Sequence, residues 1–515
     1  MKKLFSAALA AIMALSLSVS AFAADSGENA VVPISAPAGG ETVVIAPAPN
    51  AISVVINGKA VSFTDAAPAI VDGRTQAPFR AVTEALGAAV EYENDVITAT
   101  FPDGRVETLT IGSKTLTVKT AEGEKTTEMD VAPYIDRTTG RTYVPVRYIG
   151  EAAGYTVTWD GTTRTAALTD WDAFEKDADA GFAIFNKMMT EATSATATAG
   201  KAYKSDDSIT VSAAFDGMES VEPLKLSLNG SSVTKGTAAS GSYTLGLKLG
   251  GYESMLAASD AESLALIKSL DGTKLDYAMN ENADIYLRSA LITVLTGGTV
   301  PESGWLELPL GELMSELGVD MKAVISGAES GSFTMGKLLR TMFEDGKLAG
   351  MLGVDPYTAA ELYAEMYEGM FGDKCMTETK SGSSVTYTCK TDEKSLFAGM
   401  LASGAVTEEE IAEAGMKLDM TMSFTLRSGA MTNAAVKMDM SAEGMSMKLD
   451  MTGSDTGTRC NAVISIEDLG TISVDVTSSM TETSESPAAP AEGETVVGME
   501  ALISLLTGGV QPKAA

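Results

Sequence analysis

Three cysteines, 28 methionines and two spaced Arg–Glu pairs are the side chains whose chemistry must be accounted for, and histidine is absent from all 515 positions. The missing imidazole removes the commonest metal ligand and the commonest general base at neutral pH. It also excludes Ser-His-Asp and Cys-His nucleophile systems and three-His zinc or copper sites. Cys375 and Cys389 flank a segment that reads as a hairpin turning near Gly382, each about equally far from the turn. In an oxidising compartment that spacing makes a Cys375–Cys389 disulfide the expectation, with two free thiols as the alternative. Cys460 is left over and reads as a buried, unreactive side chain. Methionine thioethers are soft enough to hold copper(I). Yet Met416, Met420, Met422, Met438, Met440, Met445, Met447 and Met451 recur mostly at even spacing, beside Leu418, Phe424, Leu426 and Leu449. Even spacing puts side chains on one face of a sheet, so packing accounts for them without metal.

Arg80/Glu84 and Arg147/Glu151 stand one helical turn apart and read as local ion pairs worth roughly 0.3–0.5 kcal/mol each. Neither a calcium loop of the Asp-x-Asp-x-Asp-Gly type, a phosphate-binding glycine loop, a GxSxG elbow nor a Cys-x-x-Cys pair occurs. No catalytic, cofactor-binding or metal-ligating residue is therefore assigned, and the chain is not expected to be an enzyme. With 69 acidic against 37 basic residues, a net charge of −32, it is not expected to bind nucleic acid. Teichoic acids and anionic lipid head groups are disfavoured on the same ground.

The compartment is read from the N-terminus. Lys2 and Lys3 precede an apolar stretch from Leu4 to about Val19, and Ala21-Phe22-Ala23 supplies a small-x-small cleavage pattern. Residues 1–23 are expected to be a signal peptide. No later run of 18 apolar residues occurs, so no transmembrane segment is expected after cleavage. The expected location is secreted or extracellular, with non-covalent wall association.

Composition then divides the mature chain. Residues 24–50 are an Ala/Pro-rich linker, and 481–515 are a second Pro/Ala-rich linker and tail. Residues 51–170 hold an internal repeat. Gly73/Gly140, Arg74/Arg141, Thr75/Thr142, Pro78/Pro145, Arg80/Arg147, Glu84/Glu151, Gly87/Gly154 and Val90/Val157 match at one constant offset. Such gapless coincidence means a duplicated structural unit. In each copy the glycine makes a turn, and a short strand ends at the proline. Residues 79–86 and 146–153 then form a helix stopped by Gly87 or Gly154, and a strand follows, ending Val157-Thr-Trp159 in copy two. Ile52–Phe63 reads as a hairpin through Asn57-Gly58.

The doubled pattern NG…GRT-x-x-P-x-R-x-x-x-E-A-x-G…V-x-W closely resembles the copper amine oxidase N-terminal-like domain, or stalk domain, of exported proteins from Gram-positive, clostridia-like bacteria. Copy one departs from it at Gln76-Ala77, where bulkier residues are usual, and at Tyr92 in place of tryptophan. The resemblance covers an accessory domain of about 120 residues. It implies no oxidase activity, because that chemistry needs histidine ligands in a catalytic domain.

Residues 171–480 read as a helix over Trp171–Ala192, a long series of alternating strands, and a mainly helical insertion over 311–372 whose last helix starts at Asp355-Pro356. This layout weakly resembles lipoprotein-carrier folds, in which an incomplete barrel wraps an apolar cavity. The expected fold class is α+β: a small duplicated strand-rich stalk module followed by a larger antiparallel β-meander domain with inserted helices. The expected function is a non-catalytic envelope protein whose stalk module presents a C-terminal binding or scaffold domain. The alternative is an extracytoplasmic carrier or sensor of an apolar small molecule. The corresponding partners are a cell-wall or surface component, or that apolar molecule.

Overall fold

The computed structural model describes residues 51–194, 201–218, 221–236, 238–259, 261–316, 334–398, 401, 407–413, 415–428, 430–442, 444–454 and 456–499. The expected signal peptide, the linker at 24–50 and the tail from residue 500 lie outside the described residues.

A pseudo-two-fold axis organises the duplicated region. Strands Arg74–Pro78 and Thr142–Pro145 are antiparallel neighbours at the centre of a four-stranded sheet. Ala77 faces Val144, its own counterpart in the other repeat, while Gln76 faces Pro145 and Pro78 faces Tyr143. Equivalent residues meeting in reverse order is what a two-fold axis between Ala77 and Val144 requires. Each strand runs directly into a helix, Phe79–Ala85 or Val146–Ala152. Gly87 and Gly154 end these helices at φ 89° and 85°, in the left-handed region where a side chain is strained. Strands Ala89–Glu93 and Thr156–Asp160 follow.

Beyond those strands the halves diverge. Copy one continues as a five-stranded antiparallel meander from Ala89 to Glu128. In copy two, Thr165–Thr169 takes Ser53–Ile56 as a parallel neighbour. The segment preceding copy one thus completes the sheet of copy two. One core spans both halves and includes Val54, Phe79, Val82, Leu109, Val144, Ile149 and Leu168. The hairpin through Asn57-Gly58 forms as expected, with both turn residues at positive φ, the twist that suits a two-residue loop.

The rest of the described chain builds a 14-stranded sheet. Ala202–Phe215 pairs with Gly470–Thr483 along its whole length, so the two ends of the region meet in the middle of the sheet. From that seam two antiparallel meanders run outwards, one ending at Trp305–Leu308 and the other at Met376–Ser381. The sheet extends past residue 480, and Val496–Val497 adds a parallel edge strand beside Trp305 and Leu306.

Register makes one face of this sheet apolar from strand to strand. Met420, Met438, Leu449, Ala462, Val474, Val211, Leu226 and Leu247 face one another in succession across eight strands. Met422, Val436, Met451, Cys460, Val476, Ile209, Leu228 and Leu245 form the next row. The opposite face is polar, with Lys437–Asp450 and Lys448–Asp439 ion pairs directly across strands. Helices Trp171–Ala180, Ala183–Ser194, Met335–Phe343 and Pro356–Phe371 cover one end of the apolar face. There Met420, Met422, Met438, Phe424 and Leu426 are buried against Phe182, Phe185, Tyr367 and Phe371. Met440, Met447, Leu449 and Met451 pack at the margin of that core. The even methionine spacing is a packing pattern.

Several expectations change in detail. The helix expected over Trp171–Ala192 is two helices, because Gly181 and Phe182 break it. Phe182 turns into the core, and Asp373 accepts from the backbone of Ala183 at 3.2 Å and Ile184 at 2.8 Å. Asp355 caps the Pro356–Phe371 helix by accepting from Tyr357 and Thr358, as expected. Helices Tyr252–Ser259 and Ala261–Ser269 interrupt the strand series between Ala238–Lys248 and Lys274–Met279. Within the helical insertion, residues 317–333 lie outside the described residues.

The expected Cys375–Cys389 disulfide is corrected. The hairpin forms, but its turn is the two-residue Gly382-Ser383, with Ser381 facing Ser384. That register sets Met376, not Cys375, opposite Cys389, a slip of one residue. All three cysteines are free. The Cys375 thiol donates to the carbonyl of Gly369 at 3.2 Å, and the buried Cys389 thiol donates to that of Met370.

Candidate functional site

The repeat signature does two jobs. Arg80 pairs with Glu84 at 3.3 Å and Arg147 with Glu151 at 4.0 Å, one turn apart on exposed helix faces as expected. Gly73 and Gly140 hold hairpin turns at φ 69° and 68°. Arg74 and Arg141 reach across the module. Arg74 bonds the carboxylate of Asp130, and Arg141 bonds that of Asp65. Each ion pair crosses from one repeat to the other. Arg74 also donates to the carbonyl of Gly73 at 3.2 Å. The pair with Arg74, followed by a hydrogen bond from Tyr148, holds the Asp130 carboxyl below its usual range.

Asp65 and Asp130 were missed because the turn between aspartate and arginine is two residues longer in copy two. The constant offset breaks there. Allowing that shift, Asp65-Ala-Ala-Pro68 aligns with Asp130-Val-Ala-Pro133, so the signal was present as a gapped match.

Within the central four-stranded sheet the two-fold symmetry fails at one cross-strand pair. In copy two, Tyr134 and Tyr143 are cross-strand partners whose rings stack at 5.4 Å, and the Tyr143 hydroxyl donates to the carbonyl of Ala67 at 2.8 Å. The matching cross-strand pair in copy one is Ala69 and Gln76. Gln76 is fully buried, and neither its amide oxygen nor its nitrogen has a hydrogen-bond partner among the described residues. Two aromatic side chains are thus replaced by a methyl group and an unsatisfied amide. A cleft of about 690 Å³ lies here, lined in part by Gln76, Asp130, Ala132, the counterpart of Ala67, and Tyr134.

A second cleft of about 280 Å³ shares Arg74 and Asp130 with the first. It brings together Gly73 and Arg74 from copy one with Pro145, Arg147 and Trp159 from copy two. Trp159 is 42% exposed, whereas the other tryptophans, Trp171 and Trp305, are 2% and 6% exposed. Arg80, Glu84, Gly87, Gly140, Arg141, Glu151 and Gly154 do not line either cleft. The arrangement offers an aromatic face, two guanidinium groups, the Lys114 ammonium, the carboxylates of Asp72 and Asp130, and an unsatisfied amide in adjoining concavities.

The C-terminal sheet carries a polar knot at the edge of its apolar rows. Asp207 accepts from Ser478 at 2.5 Å, Tyr243 at 2.8 Å, Ser205 at 3.0 Å and Ser232 at 3.2 Å. Burial, then the bond to Asp207, pushes the Tyr243 hydroxyl far up. With four donors satisfied, this carboxylate is a structural lock for the central strands.

The module is set firmly against the C-terminal domain. Gly58 lies so close to the Pro356–Phe371 helix that a Cβ there would stand 3.1 Å from Tyr357 and from the Thr358 hydroxyl. Asn57 accepts from the backbone of Asp170 at 2.9 Å.

Comparison with known proteins is consistent with the duplication. Residues 55–168 and again 121–215 match the family described as copper amine oxidase N-terminal domain. No curated protein matches the chain. Solved structures that match include a mutant of Rh. blastica porin, 7% identical over 54% of this chain and 100% of that chain, with a TM-score of 0.11. Another, described as "Asymmetric conductivity of engineered proteins", is 7% identical over 55% of this chain and 100% of that chain, also with a TM-score of 0.11. Likeness that slight carries no argument. Among the described residues, no helix is long and apolar enough to cross a membrane.

Proposed function

Starting from an N-terminal module that is a copper amine oxidase N-terminal domain, we propose that the chain is an exported, non-catalytic envelope protein whose module faces the cell wall and presents the C-terminal domain. One observation carries this reading: the module is locked to the helical cap of the large sheet at Gly58 and Asn57. A stalk must transmit position, and a tight junction does that where a flexible linker would not. The repeat itself supports a scaffold role, since the Arg74–Asp130 and Arg141–Asp65 pairs tie its two halves together. The acidic balance of the chain directs it towards neutral wall components rather than anionic ones.

The test is cosedimentation of the mature full chain with purified sacculi from a Gram-positive bacterium, from which teichoic acids have been stripped. The expected result is recovery in the pellet. Recovery wholly in the supernatant would count against the wall-facing role.

A second reading, a carrier of an apolar molecule, is favoured by the continuation of the apolar rows beyond the helical cap. Val474, Val476, Ile209, Val211, Leu226 and Leu228 are half-buried and belong to none of the buried clusters among the described residues. Native mass spectrometry of the purified protein separates the readings, since a co-purified lipid supports the carrier and bare protein opposes it.

A further inference from the structure

We infer that the two clefts meeting at the Arg74–Asp130 pair form a binding groove for a neutral saccharide, opened by the loss of two tyrosines from copy one. This rests on the wall-facing reading only for the choice of glycan.

The argument begins with the broken symmetry. Copy two fills the space beside its central strand with Tyr143, anchored on the Ala67 carbonyl and stacked on Tyr134. Copy one has Gln76 and Ala69 at those positions, and the cleft beside Gln76 also borders Ala132, the equivalent of Ala67. Tyrosine would fill that space; glutamine leaves it and adds a buried amide with neither donor nor acceptor satisfied. Leaving such a group unpaired costs about 1–3 kcal/mol, so a position that keeps it needs a compensating partner. A ligand entering the cleft would supply one.

The groups around the groove define what that partner is. Trp159 presents a part-exposed indole, and aromatic faces of this kind take the apolar C–H surface of a pyranose ring. Arg74, Arg147 and Lys114 donate, the Asp72 and Asp130 carboxylates accept, and the Gln76 amide does both. Hydroxyl groups, which donate and accept at once, match this mixture. A proline-rich peptide, with few N–H groups to offer, would leave the Gln76 amide oxygen unmatched, and an anionic polymer would meet the net charge of −32. The smaller cleft, about 280 Å³, lies at the size of one or two sugar rings, as small-ligand sites do.

The test uses the mature full chain and a β-1,4-linked N-acetylglucosamine tetrasaccharide as probe. Because Trp171 and Trp305 are buried, Trp159 dominates any change of tryptophan emission on binding. The expected result is a saturable blue shift with reduced acrylamide quenching. Gln76→Tyr, which restores the copy-two side chain, should weaken binding at least about tenfold with an unchanged or raised melting temperature. Trp159→Ala, read by calorimetry, should weaken it comparably, while Tyr92→Ala, the counterpart outside the groove, should bind as the native chain does. The inference is overturned if the native chain gives no shift at millimolar tetrasaccharide. It is equally overturned if Gln76→Tyr and Trp159→Ala bind undiminished, or if only a synthetic proline-rich peptide gives the shift. Tetrasaccharide binding without sacculus cosedimentation would remove the wall-facing role and leave the groove; the reverse would remove the groove alone.

Discussion

Glu107 sits fully buried on the Val106–Thr110 strand, with neither carboxylate oxygen hydrogen-bonded among the described residues. Its nearest cation, Arg105, is 3.8 Å away and also stacks over the Phe101 ring at 4.0 Å. Burial pushes the Glu107 pKa up to about 7, against the opposing pull of Arg105. A carboxyl raised on folding is protonated in the native state while the unfolded chain is already ionised. Stability therefore falls as pH rises from about 4.5 to about 7, then levels off, for a total of up to about 3 kcal/mol. Glu107→Gln should remove that slope and stabilise the module by roughly 1–3 kcal/mol at pH 8, with little effect at pH 4. Thermal denaturation across this range checks it; equal slopes for both proteins would show that Glu107 is not the titrating group. Nothing in the sequence distinguished Glu107 from the other acidic residues, because its burial depends on which face of a five-stranded meander turns inward.

At the scale of elements, the hairpin Met376–Asp392 shows how far spacing alone can be trusted. The alternation located both strands, yet the register turned on whether the loop held one residue or two. A two-residue loop, Gly382-Ser383, shifted every facing pair and took Cys375 out of line with Cys389. The account predicts three free thiols in the air-oxidised, denatured protein by thiol titration, and one free thiol would restore the disulfide. Burial pushes the Cys389 thiol up to about 12, so under native conditions it should react far more slowly than an exposed cysteine. The repeat helices and their glycine stops were legible because Gly87 and Gly154 are demanded by a left-handed backbone. The two-fold axis was not, because symmetry about Ala77 and Val144 is a property of strand pairing. The Arg74–Asp130 and Arg141–Asp65 pairs were hidden by a two-residue length difference.

Across the whole molecule, the strand-rich character, the duplicated module and the methionine face were readable from period-two alternation and internal repetition. The seam between Ala202–Phe215 and Gly470–Thr483 was not, since it joins strands with the rest of the domain between them. The junction at Gly58 was also invisible, because the glycine is needed twice, for positive φ and for the approach of Tyr357 and Thr358. Gly58→Ala should cost about 1–2 kcal/mol in backbone strain alone, seen as a lower denaturation midpoint. If module and domain are rigidly joined, the same change should increase protease cleavage near residue 170; unchanged proteolysis would mean the junction does not bear the load assigned to it.

The central claim, an exported protein that works outside the cytoplasm, is tested most directly by fractionating the source cells and sequencing the N-terminus of the recovered protein. Recovery from the envelope or medium, beginning at Ala24, is the predicted result. Protein confined to the cytoplasm and beginning at Met1 would contradict it.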